Sequence, residues 1–369
     1  MFNSQEEFDR IYGWDSSFTL QNDESESTDG LVRARVIGEE RGLYRVQWSL
    51  EDSRWATVSG RLQFSSVSRE DFPAVGDWVG IEIPPSSDRA IIHQVMPRKS
   101  MIARKQAGVT SDIQIVSTNV DTMLIATSVG DDLNYRRLER YLALAWESGT
   151  VPVILLTKAD TSPVPIADVI ADVQREFFGV EVQAVAQDAF SEAECLPRYL
   201  SPGKTVVIAG SSGVGKSTLV NFLIAADSAD AGTTIRTQAI RESDGRGRHT
   251  TTARSMYRSR FGGLIIDTPG MRELQLSDHE EGIRTQFADI EGLTVRCRFA
   301  NCGHDSEPSC AIKQALADGT LSSDRWNSYL KLAAEARFEA RKLDKALASE
   351  QKKQWAKRSA LAKSHRRIK

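Results

Sequence analysis

No run of apolar residues in this 369-residue chain approaches the ~20 needed to span a bilayer. The acidic stretch Met1 to Arg10 also lacks the apolar core of a secretory leader. Both absences point to a cytoplasmic protein with no membrane partner. Cysteine is scarce too, with four in the whole chain, and in a cytoplasmic chain a cluster of them reads as metal-binding rather than as a disulfide framework. No internal repeat is present, which argues against solenoids and propellers. The length is two to three times that of a usual domain, so more than one core is expected.

Acid is missing altogether from residues 351–369, which carry eight cations (Lys352, Lys353, Lys357, Arg358, Lys363, Arg366, Arg367 and Lys369). Such an end suits a polyanion such as RNA, the plainer alternative being a solvated helix end. Residues 5–29 are the reverse, with eight carboxylates against Arg10 alone. Phe8, Ile11 and Tyr12 mark a short amphipathic helix there, but QNDESESTDG has too little apolar surface to fold by itself. Residues 1–30 therefore read as an acidic, flexible extension.

From Leu31 to about Arg104 the chain alternates in short strands, LVRARVIG, GLYRVQW, WATVSGRLQF, DWVGIEI and AIIHQVM, parted by turn residues. About five strands at this spacing predict a small closed barrel with the OB-fold leading, a generic small barrel being the alternative. Its cations (Arg33, Arg35, Arg45, Arg54, Arg61) and aromatics (Tyr44, Trp48, Trp55) suit RNA contact, or else are ordinary half-buried barrel residues. From about Ser111 the buried-strand runs TMLIATS, VPVILLT, VEVQAVA, TVVIAG and GLIIDT alternate with helical segments. That predicts a parallel sheet with helices on both faces. After Phe287 the strands stop and helical stretches run to the end.

Three motifs on these strands carry chemistry. Gly210-Ser-Ser-Gly-Val-Gly-Lys-Ser217 follows an apolar strand and opens an apolar-periodic helix, the context a phosphate-binding loop requires. Gly213 and Gly215 permit the tight turn, backbone N–H groups from Gly210, Ser211, Ser212, Gly213, Val214 and Gly215 through Thr218 surround the phosphates, Lys216 reaches the β- and γ-phosphates, and Ser217 takes Mg²⁺. Asp267-Thr-Pro-Gly270 closes an apolar strand, placing Asp267 to hold Mg²⁺ through water and Gly270 to approach the γ-phosphate. Thr157-Lys158-Ala159-Asp160 fits the guanine-selecting N/T-K-x-D pattern. Its Asp accepts from guanine N1–H and the 2-amino group, its Lys stem covers the base, and Thr157 stands where Asn is usual.

A separate group, Cys297, Cys302, His304 and Cys310, supplies three thiolates and one imidazole. The set suits a closed, structural, tetrahedral Zn²⁺; the alternative is buried cysteines beside a surface His.

The order of the motifs is unusual: the guanine motif precedes the phosphate loop, and D-x-x-G comes last. Strand adjacency can survive such a permutation, because the same sheet can be started from a different strand. With GSSGVGKSTLVN, GRGRHTTT, DTPG, the barrel before them and the cysteine cluster after them, the chain resembles the circularly permuted GTPases that depend on the small ribosomal subunit (RsgA, also called YjeQ). The likeness runs from about residue 31 to 345. It implies an N-terminal OB-fold barrel at 31–105, a circularly permuted P-loop α/β GTPase domain at 111–280, a mostly helical zinc-binding domain at 285–346 and a basic tail at 347–369. It further implies a GTPase that acts in late maturation of the small subunit and is stimulated by it; contact with that particle's rRNA is expected, and a monomer is the default expectation.

The resemblance places the first switch at Gly247-Arg248-His249-Thr250-Thr251-Thr252, with Thr250 or Thr251 closing on Mg²⁺. Met271 follows Gly270, where many GTPases carry a water-orienting Gln, and a thioether can neither position nor activate water. His249 is the candidate the family suggests for that work, the alternative being a surface histidine contacting RNA. The family's Ser-Ala guanine contact falls near 184–188, where Ala-Val-Ala-Gln-Asp matches poorly. Three function classes follow: an RNA-dependent GTPase, a nucleotide-switched binding module, and an RNA-modification GTPase. The last is disfavoured because no group-transfer site is apparent.

Overall fold

The computed structural model describes residues 4–18, 30–40, 42–105, 113–130, 132–186, 190, 193–211, 213–224, 254–267, 280–299, 302–305 and 307–334. Ser212, the switch residues His249, Thr250 and Thr251, Gly270, Met271 and the basic tail lie outside them. The chain divides into two compact units, residues 1–103 with 115–274, and residues 104–114 with 275–369.

In the first unit, β1 (Val32–Glu40), β2 (Leu43–Gln47), β3 (Ser53–Val58), β4 (Trp78–Glu82) and β5 (Arg89–Val95) form a barrel. Their order is 1-2-3-5-4, with β4 back on β1 and β3 parallel to β5, the closure of an OB-fold. Ala34, Val36, Val46, Ala56, Val79, Ile81, Ala90 and Ile92 fill the interior. The run expected to continue as strand to Phe64 instead turns into helix α2 (Gly60–Ser65). The Ser59 hydroxyl caps it by accepting from Leu62 N–H at 3.1 Å.

β6 (Met101–Lys105) and β7 (Ile113–Thr118) form a two-stranded ribbon. The α/β part comprises β8 (Thr122–Ser128), α3 (Tyr135–Glu147), β9 (Val151–Thr157), α4 (Ile166–Glu176), β10 (Glu181–Val185), α5 (Cys195–Tyr199), β11 (Thr205–Gly210), α6 (Lys216–Leu223), β12 (Arg254–Arg258) and β13 (Leu264–Asp267). The sheet order is 10-9-8-11-13-12, parallel except for β12. Side chains alternate across it. Met123, Ile125, Ile154, Leu156, Val207 and Ile266 pack on α3 and α4, while Leu124, Ala126, Val153, Leu155, Val206, Ile208 and Ile265 pack on α5 and α6. That is why these strands read as continuous apolar runs.

Barrel and α/β sheet, expected as separate domains, are one body here. β1 pairs with β12 (Gly38↔Ser255, Glu39↔Arg254), joining both into an eleven-stranded sheet. The expected flexible extension is also folded over its described part. Helix α1 (Ser4–Tyr12) and the turn after it bury Phe8, Ile11, Tyr12 and Phe18 in the core around Trp78. Composition misled there because carboxylates dominate the average, while the apolar residues fall on one face and Asp9 and Asp15 pair with Arg33 and Lys99. Phe8 is fully buried, stacks on Tyr12 at 4.4 Å and meets Trp78 edge-on at 5.9 Å. Phe8→Ala should therefore cost about 3–5 kcal/mol of stability, read from urea unfolding. A loss below ~1 kcal/mol would mean the helix is only loosely docked.

In the second unit, α7 (Glu280–Gln286), α8 (Ala288–Thr294), α9 (Ala311–Ala317) and helical residues 323–334 surround the cysteine cluster. Ile283, Phe287, Ile290, Ile312, Leu321 and Leu332 are buried.

Candidate functional site

Ligands of open parallel sheets bind beyond the carboxyl ends of the strands, where the connections diverge. Here β8 continues through α3 towards β9 and β10, whereas β11 leads to β13 on its other side. The crevice therefore opens between β8 and β11. The carboxyl ends around it are Ser128, Thr157, Gly210 and Asp267, so all three motifs found in the sequence converge on one edge.

Gly210 leaves β11 at φ 142°, and a Cβ there would sit 2.2 Å from the Ala126 carbonyl oxygen. No other residue fits this approach to β8. Gly213 and Gly215 have φ 81° and 95°, the left-handed turn that delivers the chain into α6. The Lys216 ammonium arches back over the loop, donating to the Gly210 carbonyl at 2.8 Å and to the Ser211 carbonyl. Val214 is buried, anchoring the loop from below.

Two side chains from neighbouring segments grip this loop. The Thr157 hydroxyl is buried and lies 2.8 Å from the Val214 carbonyl and 3.3 Å from that of Thr127. Thr157, standing where Asn is usual, thus ties the guanine motif to the phosphate loop through its hydroxyl. Immediately after it, Lys158 adopts φ 55°. This conformation is uncommon for a residue with a Cβ and costs about 1–2 kcal/mol, the kind of strain held at functional turns. It leads into the single turn Ala159–Thr161, which presents Asp160 exposed at the crevice edge.

The second grip is absent from the motif list. Asp132, in the loop after β8, accepts from the Ser211 hydroxyl at 3.0 and 3.1 Å and from Arg137 of α3 at 2.7 Å. The only signal for it was an acid at the end of an apolar strand, which is too common to single out.

Asp267 ends β13, and burial raises its pKa despite the opposing charge of Lys216. A carboxylate held this way is short of positive charge and suited to a cation.

Of the barrel cations, read as suited to RNA contact or else as ordinary half-buried barrel residues, two are engaged within the fold. Arg35 is 1% exposed; it donates to the Tyr12 carbonyl at 2.7 Å and lies 5.1 Å from the Trp78 ring. Burial draws its pKa down to about 10, so it stays charged at neutral pH. Arg33 pairs with Asp9 and covers Trp14. Tyr44 belongs to the barrel core, whereas Trp55 is exposed. The outward side of β1 is covered by α1, which strand alternation alone does not reveal.

In the second unit, the ligand atoms of Cys297, Cys302, His304 and Cys310 lie within 4.8 Å of one another, a cluster that could hold a metal ion. Cys297 Sγ is 3.9 Å from Cys310 Sγ and 3.6 Å from His304 Nδ1, and Cys310 Sγ is 3.5 Å from that nitrogen. Burial works against the Cys297 thiolate, but hydrogen bonds from Ala311 and Ile312 N–H and from the neighbouring thiols outweigh it and set its pKa below the ordinary value. The His304 ring rests edge-on against Trp326 at 5.7 Å.

The chain matches the RsgA GTPase family over residues 95–277. It is 42% identical over 334 residues to the small ribosomal subunit biogenesis GTPase RsgA 1 of Oceanobacillus iheyensis, covering 90% of this chain and 93% of that protein. The small ribosomal subunit biogenesis GTPase RsgA 2 of Lactiplantibacillus plantarum is 40% identical, over 86% of this chain and 88% of that one. Among solved structures, YloQ, described as a circularly permuted GTPase, superposes with TM-score 0.59 at 23% identity, covering 85% of this chain and 98% of that chain. YjeQ from Thermotoga maritima gives TM-score 0.60 at 23% identity, covering 83% and 98%. The solved structures support the permuted fold and the sequence relatives carry the kinship; identity of this extent along nearly the whole of both chains means that this chain belongs to the RsgA GTPase family.

Proposed function

We propose that this chain is a cytoplasmic, monomeric GTPase that binds the small ribosomal subunit through its rRNA and hydrolyses GTP to GDP and phosphate during late maturation of that particle, stimulated by it. The observation that carries the reading is the convergence of the phosphate loop, the guanine motif and Asp267 on one sheet edge, with Thr157 bonded to the loop itself. No helix among the described residues is long and apolar enough to cross a membrane.

Backbone N–H groups of Gly213, Gly215 and the start of α6 surround the phosphates. Lys216 carries the charge that the transferring phosphoryl group needs. Asp160 and Lys158 select and cover guanine. Mg²⁺ would be held by the Ser217 hydroxyl and, through water, by Asp267, and would withdraw charge from the phosphate oxygens. Thr250 or Thr251 completes that shell, Gly270 N–H meets the γ-phosphate, and His249 orients the attacking water.

The metal of the C-terminal cluster is Zn²⁺ in a structural role. Thiolate bonds of ~2.3 Å and an imidazole bond of ~2.0–2.1 Å at tetrahedral angles imply ligand edges of about 3.8 and 3.6 Å. The three edges among Cys297, His304 and Cys310, at 3.9, 3.6 and 3.5 Å, match these values, and Cys302 completes a set whose ligand atoms all lie within 4.8 Å of one another.

Multiple-turnover GTP hydrolysis should rise at least tenfold with purified small subunits and not with large ones, and the stimulation should fall steeply with salt. His249→Ala should lose the stimulated rate while keeping nucleotide affinity. Turnover indifferent to small subunits would leave only a nucleotide-switched binding module, and near-wild-type stimulated turnover of the variant would remove His249 from the reaction.

A further inference from the structure

We infer that Asp132 is a positioning residue for the phosphate loop, acting through Ser211. The inference rests on the phosphate-binding role proposed for residues 210–217. Three observations carry it. The Ser211 hydroxyl reaches both Asp132 carboxylate oxygens, at 3.1 and 3.0 Å. Arg137 donates to the same carboxylate at 2.7 Å, giving the acid a fixed countercharge on the first turn of α3. The carboxylate also accepts from Ser128 N–H at 3.3 Å, while the Thr127 hydroxyl donates to the Asp132 backbone carbonyl at 3.2 Å. Asp132 is thereby tied to the end of β8, to α3 and to the loop at once.

The arrangement solves a mechanical problem. A loop rich in glycine must present several N–H groups to one anion, yet glycine contributes the most backbone entropy to be lost on ordering. The described non-glycine positions in the turn are those gripped from outside. Asp132 holds Ser211 on the ascending limb, and Thr157 holds Val214 on the descending limb. Gly213 lies between them, and among the described residues, its chain neighbours aside, no atom comes within 4 Å of the position a Cβ would take. Hydrogen bonds to a charged acceptor are the stronger kind, so the Asp132 grip sets the loop's shape before nucleotide arrives.

Because both GDP and GTP use the same loop, the latch acts on ground state and transition state alike. Its loss should raise KM and leave kcat nearly unchanged. Ser211→Ala and Asp132→Ala in the full-length protein should each weaken binding of a fluorescent GDP analogue about tenfold, equivalent to about 1.4 kcal/mol. They should raise KM for GTP similarly and change kcat less than twofold. The double variant should bind no more weakly than Asp132→Ala alone, since that variant already removes the Ser211 bond together with those to Arg137 and Ser128. Ser211→Thr, which keeps the hydroxyl, should restore affinity. Fully additive losses, unchanged affinity in Ser211→Ala, or a fall confined to kcat would each overturn the latch. Ser211→Ala keeps the test open should Asp132→Ala fail to fold, because it removes only one hydroxyl. Lys216→Ala separates the two readings. If it abolishes binding while Ser211→Ala leaves it intact, the latch alone is wrong, whereas if Lys216→Ala still binds, the phosphate-loop assignment falls first.

Discussion

Asp160→Asn is expected to lower GTP affinity by about 10⁴-fold and to create a preference for XTP. A site built to hydrogen-bond particular donors rejects an analogue that lacks them by factors of about 10⁴–10⁵, because polar groups covered by the bound ligand are left unpaired, and a base seated on Asp160 would cover its carboxylate in this way. The Asp160 carboxylate is proposed to accept from guanine N1–H and the 2-amino group. An Asn offers one acceptor and one donor, which match N1–H and the C2 carbonyl of xanthine and set the amide N–H against the 2-amino group of guanine. The backbone supports a contact of this precision. Thr157 is fixed by its hydroxyl to the Val214 carbonyl at 2.8 Å, and the strained Lys158 turn follows directly. Competition binding with GTP, XTP and ATP checks the outcome. Undiminished GTP binding would show that the base is read elsewhere, and a variant that binds XTP should still hydrolyse it under stimulation by small subunits.

What could be read from the sequence follows from where each segment's structure is decided. TMLIATS, VPVILLT and TVVIAG are strands buried on both faces, so their apolar runs announced them to the residue as β8, β9 and β11. RSMYR was missed as β12 because Arg254 and Arg258 flank a short core. It is a strand through its partners, β13 on one side and β1 of the barrel on the other. Buried Arg254 is held there by the Ile115 carbonyl at 2.7 Å and by Glu39 at 3.2 Å. WATVSGRLQF alternates like a strand throughout, yet the Ser59 cap ends β3 and starts a helix. Arg35 looked like an RNA cation because local alternation places it outside the barrel, and only the tertiary fold shows that outside covered.

At the site, the motifs were legible because phosphate and guanine recognition demand particular residues at fixed spacing. Asp132 was not, because it acts from another segment and any acid in a loop resembles it. The switch residues His249, Thr250 and Thr251 were legible only through the family resemblance, and they fall outside the described residues.

Removing the metal is expected to unfold the C-terminal unit while leaving nucleotide binding intact. The cluster ties the end of α8, just before Cys297, to the start of α9, where Cys310 is the residue before the first turn. A metal there would staple these segments together. The cluster also holds backbone that would relax without it: His304 and Ser309 sit at φ 60° and 59°, in the left-handed region. From His304 the packing continues through Trp326, stacked on Tyr329 at 5.5 Å, to Phe287 at 5.6 Å from that ring. Binding free energies of structural zinc sites run to about 10 kcal/mol or more at neutral pH, and most of that is folding free energy. Chelation, or Cys310→Ser, should therefore strip one zinc per chain and expose amides of residues 280–334 to rapid hydrogen exchange. Affinity for GDP should change less than twofold, because Lys216, Thr157 and Asp160 belong to the other compact unit. Cys195→Ser, in α5 and outside the cluster, should change neither zinc content nor exchange. Protection of residues 280–334 surviving in fully demetallated protein would mean that the helices fold on their own apolar contacts and the metal is incidental to them.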